Sequence, residues 1–266
     1  MKTRMTALGL FATLLVPASA ANVFDITLDY TGDPTYLPFF QTAEAIWEEI
    51  IPSYIDGNQG LAVFPGLTIS ASIISIDGPG NILGSAGPTV GGYDDSNYFL
   101  AVDGEMEFDA DDVGALGSDL LTVILHEMGH VIGIGTLWDW NGLYVDGSGQ
   151  YTGAVGLAAY QTEFNQPGAA FVPVELGGGA GTANGHWDEV DGGIFPTGRV
   201  STLFSQDMQY ELMTGWLNTS QPYFISNLTR ASLRDLGYNV TLVPETSNAI
   251  LGAVTLSFLL VRRKRR

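Results

Sequence analysis

A helix that is apolar around its whole circumference has to be buried, and residues 120 to 132, LLTVILHEMGHVI, are such a run apart from a threonine, two histidines and a glutamate. Any fold available to this chain must put that segment at its centre and give His126, Glu127 and His130 something to do. The two histidines are four apart, so on a helix both imidazoles project from one face, one turn apart. Glu127 sits beside them, placed to reach a water on a metal ion without itself being a ligand. Two core histidines on a buried helix are the bland alternative. The apolar flanks, the lack of any other charge in the run and Gly133 at its end favour a zinc site, since glycine lets the chain turn sharply and leave the ligand face open. Ser118 is the expected N-cap.

A catalytic zinc takes three protein ligands and a water. In the long form of the H-E-x-x-H motif the third is a histidine six residues after the second, and here that position is Thr136. The chain contains three histidines, so the remaining one, His186 in G-H-W-D-E, is the first candidate. The glycine-rich tract 177–185 before it is expected to act as a flexible strap that returns His186 to the metal. Asp139, Glu163, Asp188 and Glu189 are the carboxylate alternatives.

Both ends differ in character from the middle. Lys2 and Arg4 precede an apolar run from Ala7 to Val16 and the small residues Ala18-Ser19-Ala20, the pattern of a secretory signal cut after Ala20. At the other end, an apolar stretch from Ala249 to Val261, shorter than a usual membrane span, leads into five basic residues. Its basic flank is expected to stay cytoplasmic, giving transient membrane contact. Between the ends, residues 21 to 243 hold Arg199, Arg230 and Arg234 and no lysine, against nearly all of the acids. So acidic a surface repels phosphate backbones and excludes nucleic acid as a partner. It leaves calcium binding open at Asp94-Asp95, Asp103 and Asp109 to Asp112, although none of these has the spacing of a known calcium loop. An exported chain without cysteine must be held by its core alone, and about 220 residues suffice for one core, divided into two lobes about a cleft.

Phe24 to Tyr30 alternates like a half-buried strand, and Leu67 to Ile76 reads as another. Residues 38 to 51 follow helical spacing, with Pro38 suited to a first turn and Pro52 to a stop. A Gly/Pro-rich loop is expected over 78–92, then two short strands, 98–102 and 105–108, around Asp103-Gly104. Asn141 to Gly185 shows little periodicity and reads as a long loop, and 226–236 as a helix closed by Gly237. The expected class is α+β: a twisted mixed sheet with two helices, the second carrying the zinc motif, followed by an irregular C-terminal lobe with a closing helix.

Three blocks in this order, H-E-M-G-H-V-I-G-I-G-T-L-W, G-H-W-D-E and E-L-M-T-G at 211–215, resemble the leishmanolysin-type metallopeptidases, as does the closing segment T-R-A-S-L-R-D-L-G-Y at 229–238. These are metzincins in which an insertion separates the second and third zinc histidines. The resemblance implies a metallopeptidase domain over 21–242 in which His126, His130 and His186 bind one zinc ion, Glu127 is the general base and Met213 forms the methionine turn beneath the metal. It implies a protein or peptide substrate aligned on a strand near residues 98–108. The protozoan members are rich in cysteine, so a chain with none resembles a bacterial, disulfide-free branch. The segment between His186 and Met213 is longer than the family's and suggests an extra loop. Residues 243–266 resemble a PEP-CTERM sorting tail, with Thr246 in place of its second proline. That likeness implies an exosortase-type processing enzyme and delivery to the cell surface or beyond. From another class, a surface binding or matrix protein that keeps a structural metal site is the alternative; an intact Glu127 counts against it, because a purely structural site needs no base.

Overall fold

The computed structural model describes residues 22–218 and 221–244. The expected signal segment 1–20 and all but the first residues of the expected tail lie outside them. Among the described residues no helix is long and apolar enough to cross a membrane.

The architecture is α+β around one mixed four-stranded sheet. Strands β1 (Ile26–Thr31), β2 (Leu67–Ile74), β3 (Gly84–Tyr93) and β4 (Phe99–Asp109) lie in the order β1-β2-β4-β3. β1, β2 and β4 are parallel, and β3 runs antiparallel to β4 and forms the edge. Helices α1 (Leu37–Ile50) and α2 (Leu120–Ile132) pack together against the sheet. Pro38 lies in the first turn of α1, where its missing N–H is no loss. Trp47, fully buried on α1, donates its indole N–H to the Leu125 carbonyl of α2 at 3.1 Å. That bond fixes the two helices in register and satisfies a polar atom that burial would otherwise penalise.

Several expectations are corrected. The Gly/Pro-rich segment from Gly84 onward is strand rather than loop, because main-chain pairing to β4 outweighs the poor strand propensity of its glycines and proline. The two short strands are one, β4, and Asp103-Gly104 is no turn. A Cβ on Gly104 would stand 2.3 Å from Val131 Cγ1, so the glycine lets α2 press close against the sheet there. The long stretch after Asn141 contains helix α3 (Ala154–Glu163), flanked by a short antiparallel pair of Gln150–Tyr151 with Val172–Pro173. Weak amphipathicity hides α3 from the sequence, and its start is set from afar. Asp235 accepts the N–H groups of Val155 and Gly156 at 2.9 and 2.7 Å and the Tyr151 hydroxyl at 2.9 Å.

Closing helix α4 (Asn227–Asp235) is capped by Ser226, whose hydroxyl accepts the Thr229 N–H. Ser118 does not cap α2. A 3₁₀ turn over Gly117–Asp119 runs straight into the helix, so Ser118 is already inside a helical turn and Asp119 holds the cap position without a side-chain bond. The acidic segments serve as loop anchors. Asp94 accepts the N–H groups of Gly57, Ser96 and Tyr98. Asp109 accepts those of Asp111, Asp77 and Gly78, which hold its carboxyl below the ordinary range.

Candidate metal centre

Two elements bring three histidines together. His126 and His130 project from one face of α2, and His186 arrives on the segment that follows the glycine-rich tract. Their Nε2 atoms form a triangle with all three edges 3.0 Å. The rings of His126 and His186 are nearly parallel, 12° apart, and His130 stands at 83° and 82° to them.

The other ring nitrogen of each histidine decides what the triangle is. His126 Nδ1 meets the Leu212 carbonyl at 2.7 Å, His130 Nδ1 the Ile134 carbonyl at 2.9 Å, and His186 Nδ1 the Thr182 carbonyl at 2.7 Å. A carbonyl oxygen only accepts, so each Nδ1 carries the proton and each neutral ring points a bare lone pair from Nε2 toward a common point. The 3.0 Å contacts between the Nε2 atoms are therefore not hydrogen bonds, because no donor stands among them. Burial favours neutral rings throughout. It lowers the pKa of His126, takes His130 well below its ordinary value and brings His186 to about 3.

Three converging lone pairs on neutral rings, two of them buried and one half-buried, repel one another unless a cation lies between them. Tetrahedral coordination at about 2.0–2.1 Å spaces nitrogens roughly 3.3 Å apart, and the observed edges are within a few tenths of that. The backbone carbonyls behind each ring are the outer partners that fix tautomer and orientation at metal-binding histidines. The donor set fits a divalent first-row metal ion with one position left open. These three are the group of ligating side chains, among the described residues, whose atoms lie close enough to hold an ion together.

His186 is held by more than the expected pliant strap. The tract before it is bonded: Thr182 and Ala183 donate to the Gly179 carbonyl, Asn184 donates to Glu175, and Glu175 donates back to His186. The close approach is made by Gly135, at φ +78°, where a Cβ would lie 2.2 Å from the Gly185 carbonyl oxygen. Gly135→Ala should displace His186 and weaken divalent-metal affinity by about the 10–100-fold that loss of an outer partner costs. Competition against a chromophoric chelator measures it, and an unchanged affinity would mean that this contact does not position the ligand. Thr136, where the motif's usual third histidine would stand, donates its hydroxyl to the His130 carbonyl at 2.6 Å and closes the helix.

The carboxylate alternatives lie elsewhere. Asp139 is exposed, and Asp188 faces Arg199 at 3.8 Å. Glu163 accepts the N–H groups of Asn227 and Leu228 at the start of α4. Glu189 accepts the Gly215 N–H, and burial brings its pKa to about 7.

Glu127 is 8 % exposed, beside the triangle on α2, with its Cγ against Gly84 of the edge strand. Burial alone raises its pKa to about 8; a bound cation nearby would favour the ionised form. Met213 is fully buried with its sulfur against α2 at Gly129, where a Cβ would be 2.9 Å away. Glu211, also fully buried, was not singled out from the sequence. Its Oε1 accepts the Ser226 N–H and hydroxyl and the Thr229 hydroxyl, and its Oε2 accepts the Met213 N–H at 2.7 Å. Thr229 in turn accepts the indole N–H of Trp187, and the Trp187 N–H donates to the Met213 carbonyl. One carboxylate thus ties the residue after His186, the turn at Met213 and the start of α4 together. A glutamate two residues before Met213 is the only sequence trace of it.

No protein-family model matches the chain, and no curated protein matches it.

Proposed function

We propose that this chain is a zinc-dependent endopeptidase of the metzincin type, similar to the leishmanolysins, exported and sorted to the cell surface. The observation that carries the reading is the triangle of three lone pairs, each fixed by a backbone carbonyl behind it, with a buried carboxylate on the same helix. A binding or matrix protein would need the first of these and not the second.

A zinc ion held by His126, His130 and His186 supplies a Lewis acid and makes water acidic near neutral pH. The chain's own groups do the rest. Glu127 takes the proton of the attacking water as the peptide carbonyl is opened, then returns it to the departing amine. The buried surroundings of Glu127 keep bulk water from competing for that proton. Substrate alignment falls to β3 rather than to β4, where it was expected. β4 is paired on both sides, whereas β3 is the edge and passes Glu127 at Gly84, offering unpaired main-chain groups to an extended peptide. Met213 packs beneath the ligand helix as a rigid floor.

The test is a casein digest together with metal analysis. One zinc per chain and a chelator-sensitive digest are expected, with activity restored by added zinc. The melting temperature should fall on chelation, since an ion present at a thousand times its Kd adds about 4 kcal/mol. A digest indifferent to the chelator would refute the reading.

A further inference from the structure

The edge strand leads from the metal centre to a second feature that the proposed chemistry does not use. β3 starts at Gly84 against Glu127 and ends at Tyr93. Near its middle the ladder to β4 shifts register between Pro88 and Gly91, and Pro88 has no N–H to offer. Regular pairing with an extended chain therefore serves the first residues of β3 and fails beyond them. Where it fails, exposed aromatic rings begin. Tyr93, 46 % exposed, meets Phe99 edge-on at 4.9 Å, and Phe99 stacks on Trp140 at 4.6 Å and 21°, with Trp140 57 % exposed.

The ledge is built rigidly. Asn141, the neighbour of Trp140, accepts the Phe99 N–H and donates to the carbonyls of Phe99 and Leu137. It therefore ties the ledge both to β4 and to the turn that follows α2. Held so, the rings offer contact area with little left to order on binding. Nine residues of strand separate Gly84, where Glu127 lies, from Tyr93, about 30 Å at the usual rise, which is the reach of about nine residues of extended substrate. A chain paired antiparallel to β3 would bring its N-terminal portion there.

Resting on the peptidase reading above, we propose that Tyr93, Phe99 and Trp140 form a remote substrate-binding ledge that takes an apolar or aromatic side chain about nine residues N-terminal to the bond cleaved. It makes the enzyme prefer long, extended, apolar-patterned protein segments to short peptides.

The experiment uses the zinc-loaded protein and quenched-fluorescence peptides that share one cleavable centre. They differ in a single residue, Phe or Ser, about nine positions upstream. The Phe peptide should be favoured about tenfold in kcat/KM through a lower KM. That ratio should collapse to about one in Trp140→Ala and in Tyr93→Ala, and persist in Leu242→Ser, which removes an exposed apolar residue elsewhere. A ratio near one in the unaltered protein, or one that survives both aromatic substitutions, overturns the ledge while leaving the peptidase reading intact. Affinities of the same peptides for the zinc-loaded Glu127→Gln variant give the ratio without cleavage. Should the unaltered protein cut neither peptide, the peptidase reading falls, and these affinities alone decide the ledge.

Discussion

Glu127→Ala is expected to bind one zinc ion as the unaltered chain does and to lose peptide hydrolysis by at least a hundredfold, within the roughly 10²–10⁴ that a positioned acid–base group contributes. The two halves of the result come from different atoms. Metal retention depends on three Nε2 atoms and the carbonyls of Leu212, Ile134 and Thr182 behind them, none of which Glu127 touches. Hydrolysis depends on a carboxylate that can accept and return a proton beside the open metal position. Burial raises the Glu127 pKa to about 8 without an ion, so the metal-free protein holds a carboxyl in surroundings that disfavour its charge. Removing it should not reduce the stability of the metal-free form above pH 8. Glu127→Gln, close in shape, should be as inactive as the alanine variant. Metal content is read by atomic spectroscopy and turnover on a fluorogenic peptide. An active, metal-loaded Glu127→Ala would assign the proton transfer to another group.

The largest effect on stability is expected at Glu211. Glu211→Ala removes an acceptor that four donors share and strands the Met213 and Ser226 N–H groups in the interior. The cost should be about 2–6 kcal/mol, at roughly 1–3 kcal/mol for each buried N–H left unsatisfied, or a fall of about 10 °C in Tm for a domain this size. Because the same carboxylate supports Trp187 through Thr229, the loss should also loosen His186 and lower metal affinity. Glu211→Gln keeps one acceptor oxygen and turns an amide toward another donor, so its loss should be intermediate. Thermal melts with and without zinc measure both effects. A variant as stable as the parent would mean that Met213 and α4 are held by packing alone.

Much of this was legible in the sequence. Helices α1, α2 and α4 announced themselves through spacing and punctuation: Pro38 and Pro52, Gly133, and Ser226 with Gly237. The three histidines stood out by scarcity. What the sequence concealed was decided by contacts between distant segments. β3 is glycine-rich and becomes a strand because β4 pairs with it. α3 begins where Asp235 receives its first N–H groups. Gly135 matters through Gly185, fifty residues further along the chain. Glu211 resembles any other acid until the fold surrounds it with donors, and Thr136 becomes a helix-closing hydroxyl where a ligand was the customary occupant.

The central claim is that the three imidazoles share one zinc ion. It is tested most directly by an anomalous-difference map from crystals of the zinc-loaded protein, recorded on both sides of the zinc absorption edge. One peak is predicted, about 2.0–2.1 Å from Nε2 of His126, His130 and His186. A map without a peak there, or with the ion bound away from His186, would contradict the account.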